Sequence, residues 1–302
     1  VTILLATYNG LRFLPDQLAT ILDQEGVALT VVVSDDASTD GTWEWLCARA
    51  ADDPRLVLLP HTTASGGSAA NFYRLLLDAD LSAADYIGFA DQDDLWRPGK
   101  LASQVAVLAS GVYDGVSSDV LAFDEAGRTH LVKKSFPLRR WDHLFESPGP
   151  GSTYLMTPAL TRAVIGVLAD PATGAAQTAA HDWLIYAIAR SHGMQWHIQD
   201  VPTLDYRQHS ENAVGANHGL RSGLNRFGLI SNRWHRRQAA SIARIGLGVA
   251  PEQGRAALAD MVALIEGGSL ARRWTLAGRA GQLRRIRRDQ WIIGILIAIG
   301  IW

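Results

Sequence analysis

The sequence predicts an α/β protein: a doubly wound, mostly parallel sheet with a small antiparallel part, followed by a C-terminal helical region. Three observations carry this expectation. The first 110 residues alternate short β-branched runs with amphipathic segments. Residues 112–132 change to a strand–turn–strand pattern, and from about residue 220 only helical segments are visible.

The elements follow in order. VTILLAT is a strand, and LRFLPDQLATILDQEG carries Leu14, Leu18, Ile21 and Leu22 at helical spacing. LTVVVS is a second strand, followed by a turn and a helix over Trp43–Ala50. RLVLLP, AANFYRLLLDA, YIGFA and Lys100–Leu108 continue the alternation as strand, helix, strand and helix. Near-continuous apolar strands separated by helices imply a parallel sheet covered on both faces. VYDGVSSDVLAFDEAGRTHLV reads as a strand pair turning at Glu125–Gly127, which adds antiparallel pairing to the sheet. A Gly/Pro-rich loop over residues 142–158 precedes helices at Leu160–Leu168 and Trp183–Ser191 and a strand at Gln195–Gln199. The helical remainder is interrupted near Gly246–Pro251 and Gly267–Ser269. The break VGANHGL places the domain boundary at 217, giving a catalytic region over 1–217 and a helical region over 218–302.

Composition narrows the class. With 302 residues, 48% of them hydrophobic, the chain can bury a large core and is neither disordered nor collagen-like. The single cysteine, Cys47, excludes an intramolecular disulfide and is expected to be buried on its helix. Residues 1–6 read as a core strand rather than a leader. The net charge of −2 conceals segregation: residues 1–219 hold 14 basic and 26 acidic side chains, residues 220–302 hold 14 arginines and 4 acidic side chains. Such a division suggests an acidic chemical half and a basic docking half.

Ligands of doubly wound sheets bind outside the carboxyl ends of the strands, and three polar clusters fall there. In Ser34–Thr42, SDDASTDGT, Asp40 or Thr39 is expected to cap the next helix. The adjacent carboxylates Asp35 and Asp36 exceed that need, and one of them could accept hydrogen bonds from a nucleobase edge or a ribose. In ADQDDLW, three carboxylates within four residues repel one another unless solvated or neutralised by a cation. Asp91 and Asp93, two apart, can face the same region. At His181-Asp182, opening a helix, Asp182 reads equally as an N-terminal cap and as a general base.

Together these pieces resemble the family 2 glycosyltransferases, which have the GT-A fold. The resemblance spans roughly residues 1–215 and rests on ATYNG, DDASTDGT, ADQDDLWRPGKL, GSTYLMT, and HDWLIY followed by YRQHSENAVG. Within the family the chain is most similar to bacterial rhamnosyltransferase-like enzymes of surface polysaccharide assembly. The resemblance implies that Thr7, Tyr8 and Asn9 line the nucleotide pocket and that Asp36 binds the base. Gly67 and Asn71 would lie near the nucleotide. Asp91-Gln92-Asp93 stands at the DxD motif, with Asp93 ligating Mg²⁺ or Mn²⁺ and Asp91 nearer the sugar or ribose. His209 falls near the metal and diphosphate, although it also reads as an ordinary loop histidine. Gly151 and Ser152 would lie by the acceptor entrance, and Asp182 would be the base of an inverting displacement. His181 departs from the residue usual at its position. The donor implied is a dTDP- or UDP-linked sugar, and the acceptor a saccharide or polyprenyl-linked saccharide.

Two other readings are weaker. A sugar-phosphate nucleotidyltransferase should carry a Gly-rich, basic loop after the first strand, where this chain has TYNGLRF. A non-catalytic nucleotide-sugar-binding protein would have no need of Asp91, Asp93 and Asp182. For the arginine-rich tail, the absence of a recognisable nucleic-acid module disfavours nucleic acid. The uncharged WIIGILIAIGIW at residues 291–302, preceded by RRIRRDQ, is too short to span a bilayer. It suits an interfacial segment, placing the enzyme in the cytoplasm at the inner face of the membrane; a buried or oligomerising helix is the alternative.

Overall fold

The strands open the chain's logic. In chain order they are β1 (Thr2–Thr7), β2 (Thr30–Asp35), β3 (Leu56–Leu58), β4 (Ile87–Ala90), β5 (Leu95–Trp96), β6 (Gly115–Ser118), β7 (Val120–Asp124), β8 (Thr129–Val132), β9 (Leu155–Met156), β10 (Trp196–Gln199) and β11 (Leu204–Gln208). The computed structural model describes residues 1–61, 63–209 and 233–302. Its chain forms two compact units, one of Val1–Ser135, Gly149–Ala169 and Met194–Gly215, the other of Phe136–Pro148, Asp170–Gly193 and Ala216–Trp302. The units are interleaved along the sequence, unlike a cut at 217. Two segments expected in the catalytic region belong with the C-terminal helices because they share their core. Residue 217 and the VGANHGL break lie outside the described residues.

The first unit holds both sheets. Every residue of β1 is buried, as a strand covered on both faces requires. It pairs in parallel with β2 and β4, and β3 extends the ladder beside β2. The seven-stranded order is β10-β6-β9-β4-β1-β2-β3, with β9 antiparallel to both its neighbours. The doubly wound, mostly parallel sheet expected from the alternation is therefore present. A four-stranded sheet, β5-β11-β7-β8, lies beyond the sequence reading. The hairpin turning at Glu125–Gly127 belongs to this second sheet and not to the main one. Strands β5 and β9 are two residues long, below the length at which alternation can be read.

Helices α1 (Leu14–Leu22), α2 (Thr42–Asp52), α3 (Ser68–Asp78), α4 (Lys100–Ala109) and α5 (Pro158–Ala169) accompany the main sheet. Pro15 in the first turn of α1 costs no helical hydrogen bond, and Leu14, Leu18 and Ile21 put one face into the core with Ile3, Leu5, Val31 and Val33. On α2 the buried positions are Thr42 and Leu46. Cys47, one residue on, is rotated by about 100° and is exposed, contrary to the expectation that it is buried. Gly115 is needed where the Trp196 ring approaches: a Cβ there would sit 2.4 Å from the ring.

The second unit is helical. It comprises α6 (His181–Ser191), α7 (Trp234–Val249), α8 (Glu252–Glu266), α9 (Leu270–Gly278), α10 (Ala280–Leu283) and α11 (Arg287–Ala298), with the segment 136–148. The expected interruptions are there: Pro251 precedes α8, and the Ser269 hydroxyl caps α9 by accepting from the Arg272 N–H. Its core gathers Trp141, Phe145, Trp183, Ile242, Met261 and Ile297 among others.

Much of the tail's charge is used internally. Arg285 is buried and forms ion pairs with the equally buried Asp142 at 3.3 Å and with Glu146 at 3.6 Å. Arg190 adds a second cation to Asp142 at 3.3 Å, and the Tyr186 hydroxyl lies 3.2 Å from both carboxylate oxygens. Burial alone would raise the Asp142 carboxyl; the neighbouring His143 ring, 3.9 Å away, and the two guanidinium groups outweigh it and hold the carboxyl below its ordinary value. Arg236 donates to the carbonyls of Ile265 and Gly267, closing the end of α8.

His235 is fixed as a neutral imidazole. Trp302 donates its indole N–H to Nδ1 at 2.8 Å, so Nδ1 must be the bare nitrogen, and Nε2–H then faces the Phe145 carbonyl at 3.1 Å. Burial, reinforced by Arg284, lowers its pKa to about 4. The unfolded chain, with an ordinary histidine near 6.5, binds more protons between those values. Stability should therefore fall as pH drops from 6.5 towards 4. We expect His235 to account for a loss of roughly 1–2 kcal/mol between pH 7 and 5 in urea unfolding. His235→Gln, which cannot gain a proton, should flatten the profile by that amount; an unchanged slope would contradict the tautomer assignment.

Candidate active site

The carboxyl ends of β1, β2 and β4 lie side by side, since Thr7 is opposite Asp35 and Leu5 opposite Ala90. The loops after these strands therefore emerge together at one edge. Asp35 organises the first two. Its carboxylate accepts from the Thr7 hydroxyl at 2.8 Å and from the Ser38 hydroxyl and N–H at 2.6 and 2.9 Å, with His61 at 3.4 Å. Asn9, held at φ +47°, accepts from the Thr39 N–H at 2.8 Å, and the Ser38 hydroxyl accepts from the Asn9 N–H at 2.8 Å. The cap position of α2 is Gly41, not Asp40 or Thr39 as expected; Asp40, one residue earlier, accepts from the Thr42 N–H at 3.0 Å.

Asp36 is also buried. Its N–H donates to the Thr7 carbonyl at 2.9 Å, and its carboxylate accepts from the Ser65 N–H. Asn71, near the start of α3, donates to the carbonyls of Ser34 at 2.9 Å and Thr7 at 3.3 Å. Gly67, with φ +134°, precedes that helix, and its carbonyl accepts from the Asn71 N–H at 3.0 Å. Tyr8 differs from the buried Asp36 and Asn71: it is 56% exposed at the end of β1.

The acidic loop after β4 divides its side chains among distinct tasks. Gln92, expected to bind donor, clamps the Tyr8 peptide: Oε1 accepts from the Tyr8 N–H at 2.8 Å and Nε2 donates to the Tyr8 carbonyl at 2.9 Å. Gly10 makes room for that amide, because a Cβ there would lie 2.1 Å from Gln92 Oε1. The Asp91 carbonyl accepts from Gln17 at 2.9 Å. Asp93 and His209 meet at 2.7 Å between Oδ2 and Nε2. One oxygen and one nitrogen donor thus converge, although among the described residues no group of three or more His, Cys, Asp or Glu could enclose a metal.

Asp94 is fully buried. It accepts from the Ser152 hydroxyl at 2.8 Å and the Arg207 N–H at 3.2 Å. Burial, then the charges of Asp93 and Asp91, push its carboxyl well above the ordinary range. Close by in sequence, Lys100 is equally buried, lies 4.3 Å above the Trp96 ring, and is lowered by burial to about 7. Ser152 and Gly151 were expected at an acceptor entrance. Both are buried, and the Ser152 hydroxyl is committed to Asp94, so this turn supports the acidic loop from within.

Arg207, absent from the sequence expectations, links these parts. Its guanidinium lies 4.7 Å from the Phe13 ring and 4.8 Å from the Phe123 ring, and its Nε donates to the Asp93 carbonyl at 2.8 Å. Phe13 in turn packs against His209, ring centroids 4.9 Å apart. A strand reading of LDYRQ would have put Arg207 and His209 on one face, two residues apart. Asp182 belongs to the second unit, in the first turn of α6, where the helix dipole favours an anion. The cap position itself is Ala180, and Asp182 Oδ1 accepts from the Trp183 N–H at 2.7 Å. The neighbouring His181 is buried and thereby lowered to about 4, hence neutral at physiological pH.

Residues 2–158 match the family described as Glycosyl transferase family 2. The chain belongs to the family 2 glycosyltransferases. It is 36% identical over 240 residues to the dTDP-rhamnosyl transferase RfbG of Shigella flexneri, covering 79% of this chain and 83% of that protein. Among solved structures, S. aureus TarS 1-349 in complex with UDP-GlcNAc aligns with 99% of this chain and 80% of its own at a TM-score of 0.62 and 17% identity. The mannosyltransferase PcManGT of Pyrobaculum calidifontis, in complex with GDP-Man and Mn²⁺, aligns with 99% of this chain and 85% of its own at a TM-score of 0.51 and 19% identity. The glycosyltransferase thus has the GT-A-like α/β fold expected of it, with additional C-terminal helices.

The Ser152–Asp94 bond is open to measurement. Ser152→Ala should lower the free energy of unfolding by about 1–2 kcal/mol, because a buried carboxyl loses one donor. Asp94→Ala should cost more, and the double variant should fall short of the sum by about 0.5 kcal/mol or more. Additive effects in guanidinium titrations would remove Asp94 as the anchor of the loop.

Proposed function

We propose that this glycosyltransferase moves a sugar, L-rhamnose in the favoured reading, from a dTDP- or UDP-linked donor to a saccharide or polyprenyl-linked saccharide in bacterial surface polysaccharide synthesis. The observation that carries this reading is the 36% identity, over 79% of the chain, to a dTDP-rhamnosyl transferase. The exposed Tyr8 ring at the strand edge supplies a stacking surface for a base, and Asp36 lies at the end of the adjacent strand. Asp91 would face the sugar or ribose, with Thr7, Asn9, Gly67, Asn71 and Gln92 shaping the pocket from behind.

The reaction is written as a single displacement with inversion. The acceptor oxygen attacks the anomeric carbon, its proton passes to the Asp182 carboxylate, and the bond to the diphosphate oxygen breaks. The Asp93–His209 pair suits Mg²⁺ or Mn²⁺, ions that take one or two protein ligands and fill the rest of their shell with water and substrate phosphate. A bound ion would offset the charge gathering on the leaving diphosphate. Arg207 keeps the Asp93 backbone in place, so that the carboxylate and His209 stay together. The enzyme would work in the cytoplasm at the inner face of the membrane, held there by its C-terminal helices.

A thermal-shift screen of nucleotide sugars with and without Mn²⁺, followed by mass spectrometry of the product from dTDP-L-rhamnose, tests the donor. Protection by another nucleotide sugar alone would reassign it. Asp93→Ala should abolish the Mn²⁺-dependent part of nucleotide binding in calorimetry. Asp182→Asn keeps the shape but cannot take the proton, so kcat should fall roughly 10²-fold or more with donor affinity retained. Near-normal turnover would exclude Asp182 as the base.

A further inference from the structure

The second unit carries an apolar face that its own core does not use. On one side of α11, Ile293 and Ile297 are buried in the core beside Trp302. At about 3.6 residues per turn, Arg288, Trp291, Ile292, Ile295 and Ile299 fall within an arc of about 100° on the other side. There Trp291 is 74% exposed, and Ile292, Ile295 and Ile299 are 48%, 56% and 59% exposed. Four large apolar side chains in one stripe exceed the scatter of single hydrophobes normal on a protein surface.

The chemistry around the stripe indicates its occupant. Arg287 and Arg288 are exposed at its amino end, an indole follows, and isoleucines complete it. A stripe of an indole and isoleucines along one side of a helix, with arginines at its end, is the make-up of a helix that lies in the headgroup boundary with its apolar side towards the acyl chains. On the neighbouring α9, Leu270 and Trp274, 65% and 61% exposed, lie about 40° apart around the helix axis and form a second exposed apolar pair. Residues 270–302 hold seven arginines and one acidic residue. Arg285 is buried on Asp142, Arg284 pairs with Glu146 and Asp289, and Arg288 reaches Asp289 at 3.1 Å while its side chain stays 78% exposed, so with Arg272 and Arg287 the surface keeps an excess of positive charge. Among the described residues no helix is long and apolar enough to cross a membrane.

We propose that α11 lies flat on an anionic phospholipid surface, with Trp291, Ile292, Ile295 and Ile299 in the headgroup boundary and Arg287 and Arg288 on the phosphates. This rests on the reading of a membrane-held enzyme and names the surface that does the holding. Flotation of the full chain with phosphatidylcholine vesicles, with and without phosphatidylglycerol, tests it. We expect binding that is strengthened by phosphatidylglycerol and weakened by salt, with an apolar part that salt does not remove. Ile295→Glu with Ile299→Glu should reduce partitioning at least about tenfold with thermal unfolding unchanged, since both side chains are exposed. Arg287→Glu with Arg288→Glu should remove the preference for the anionic lipid. Trp291→Phe should reduce quenching of tryptophan fluorescence by brominated lipid. Failure of the unaltered chain to float would overturn the membrane reading itself. Flotation that survives the isoleucine substitutions would overturn only this surface. A dimer split by those substitutions, without vesicle binding, would assign the face to a second copy and also overturn the proposal.

Discussion

The buried carboxyl of Asp94 is the point on which the acidic loop depends. Three aspartates within four residues would splay apart if all were solvated anions. Here one is withdrawn from water, its carboxyl pushed towards the neutral form by burial and by its two neighbours, and tied to Ser152 and to the Arg207 backbone. With Asp94 anchored, Asp93 is turned towards His209 and Asp91 stays at the strand end. The same anchor joins a loop, a short turn and a strand that are distant in sequence. Displacing it would disturb Asp93 and His209 together.

The other loops at this edge follow a similar division between support and presentation. Asp35 and Asn9 stitch the β1 and β2 loops to each other, and Gln92 fastens the acidic loop to the Tyr8 peptide. These groups have their hydrogen-bonding capacity engaged by the protein. Tyr8, by contrast, leaves its large ring 56% exposed. The polar residues that mark the site in sequence are thus largely its scaffold, which agrees with the requirement that binding groups be held rigidly by a supporting shell.

In the helical unit, the cationic bias serves two purposes at once. Arg285 and Arg190 neutralise Asp142 within the core, where removing one partner would leave a costly unpaired charge. Arg236 closes a helix end. Arg272, Arg287 and Arg288 remain at the surface. A net charge read from sequence cannot separate these groups, because each assignment depends on which carboxylate or carbonyl the fold brings within reach.

The sequence by itself determined the parallel sheet, since β1, β2 and β4 are apolar runs that only a sheet covered on both faces can bury. It also determined the helices of the tail with their breaks at Pro251 and Ser269, and the placing of the acidic clusters after strands. Local periodicity and capping chemistry carry that information. Tertiary structure alone decided that residues 136–148 and 170–193 join the C-terminal helices, that LDYRQ is a strand bringing Arg207 to Asp93, and that Ser152 props Asp94 from within. It decided too that Cys47 faces outward and that one side of α11 is core while the other is bare. Each of these depends on contacts between residues far apart in the chain, and a short segment whose partners are remote carries no local sign of them.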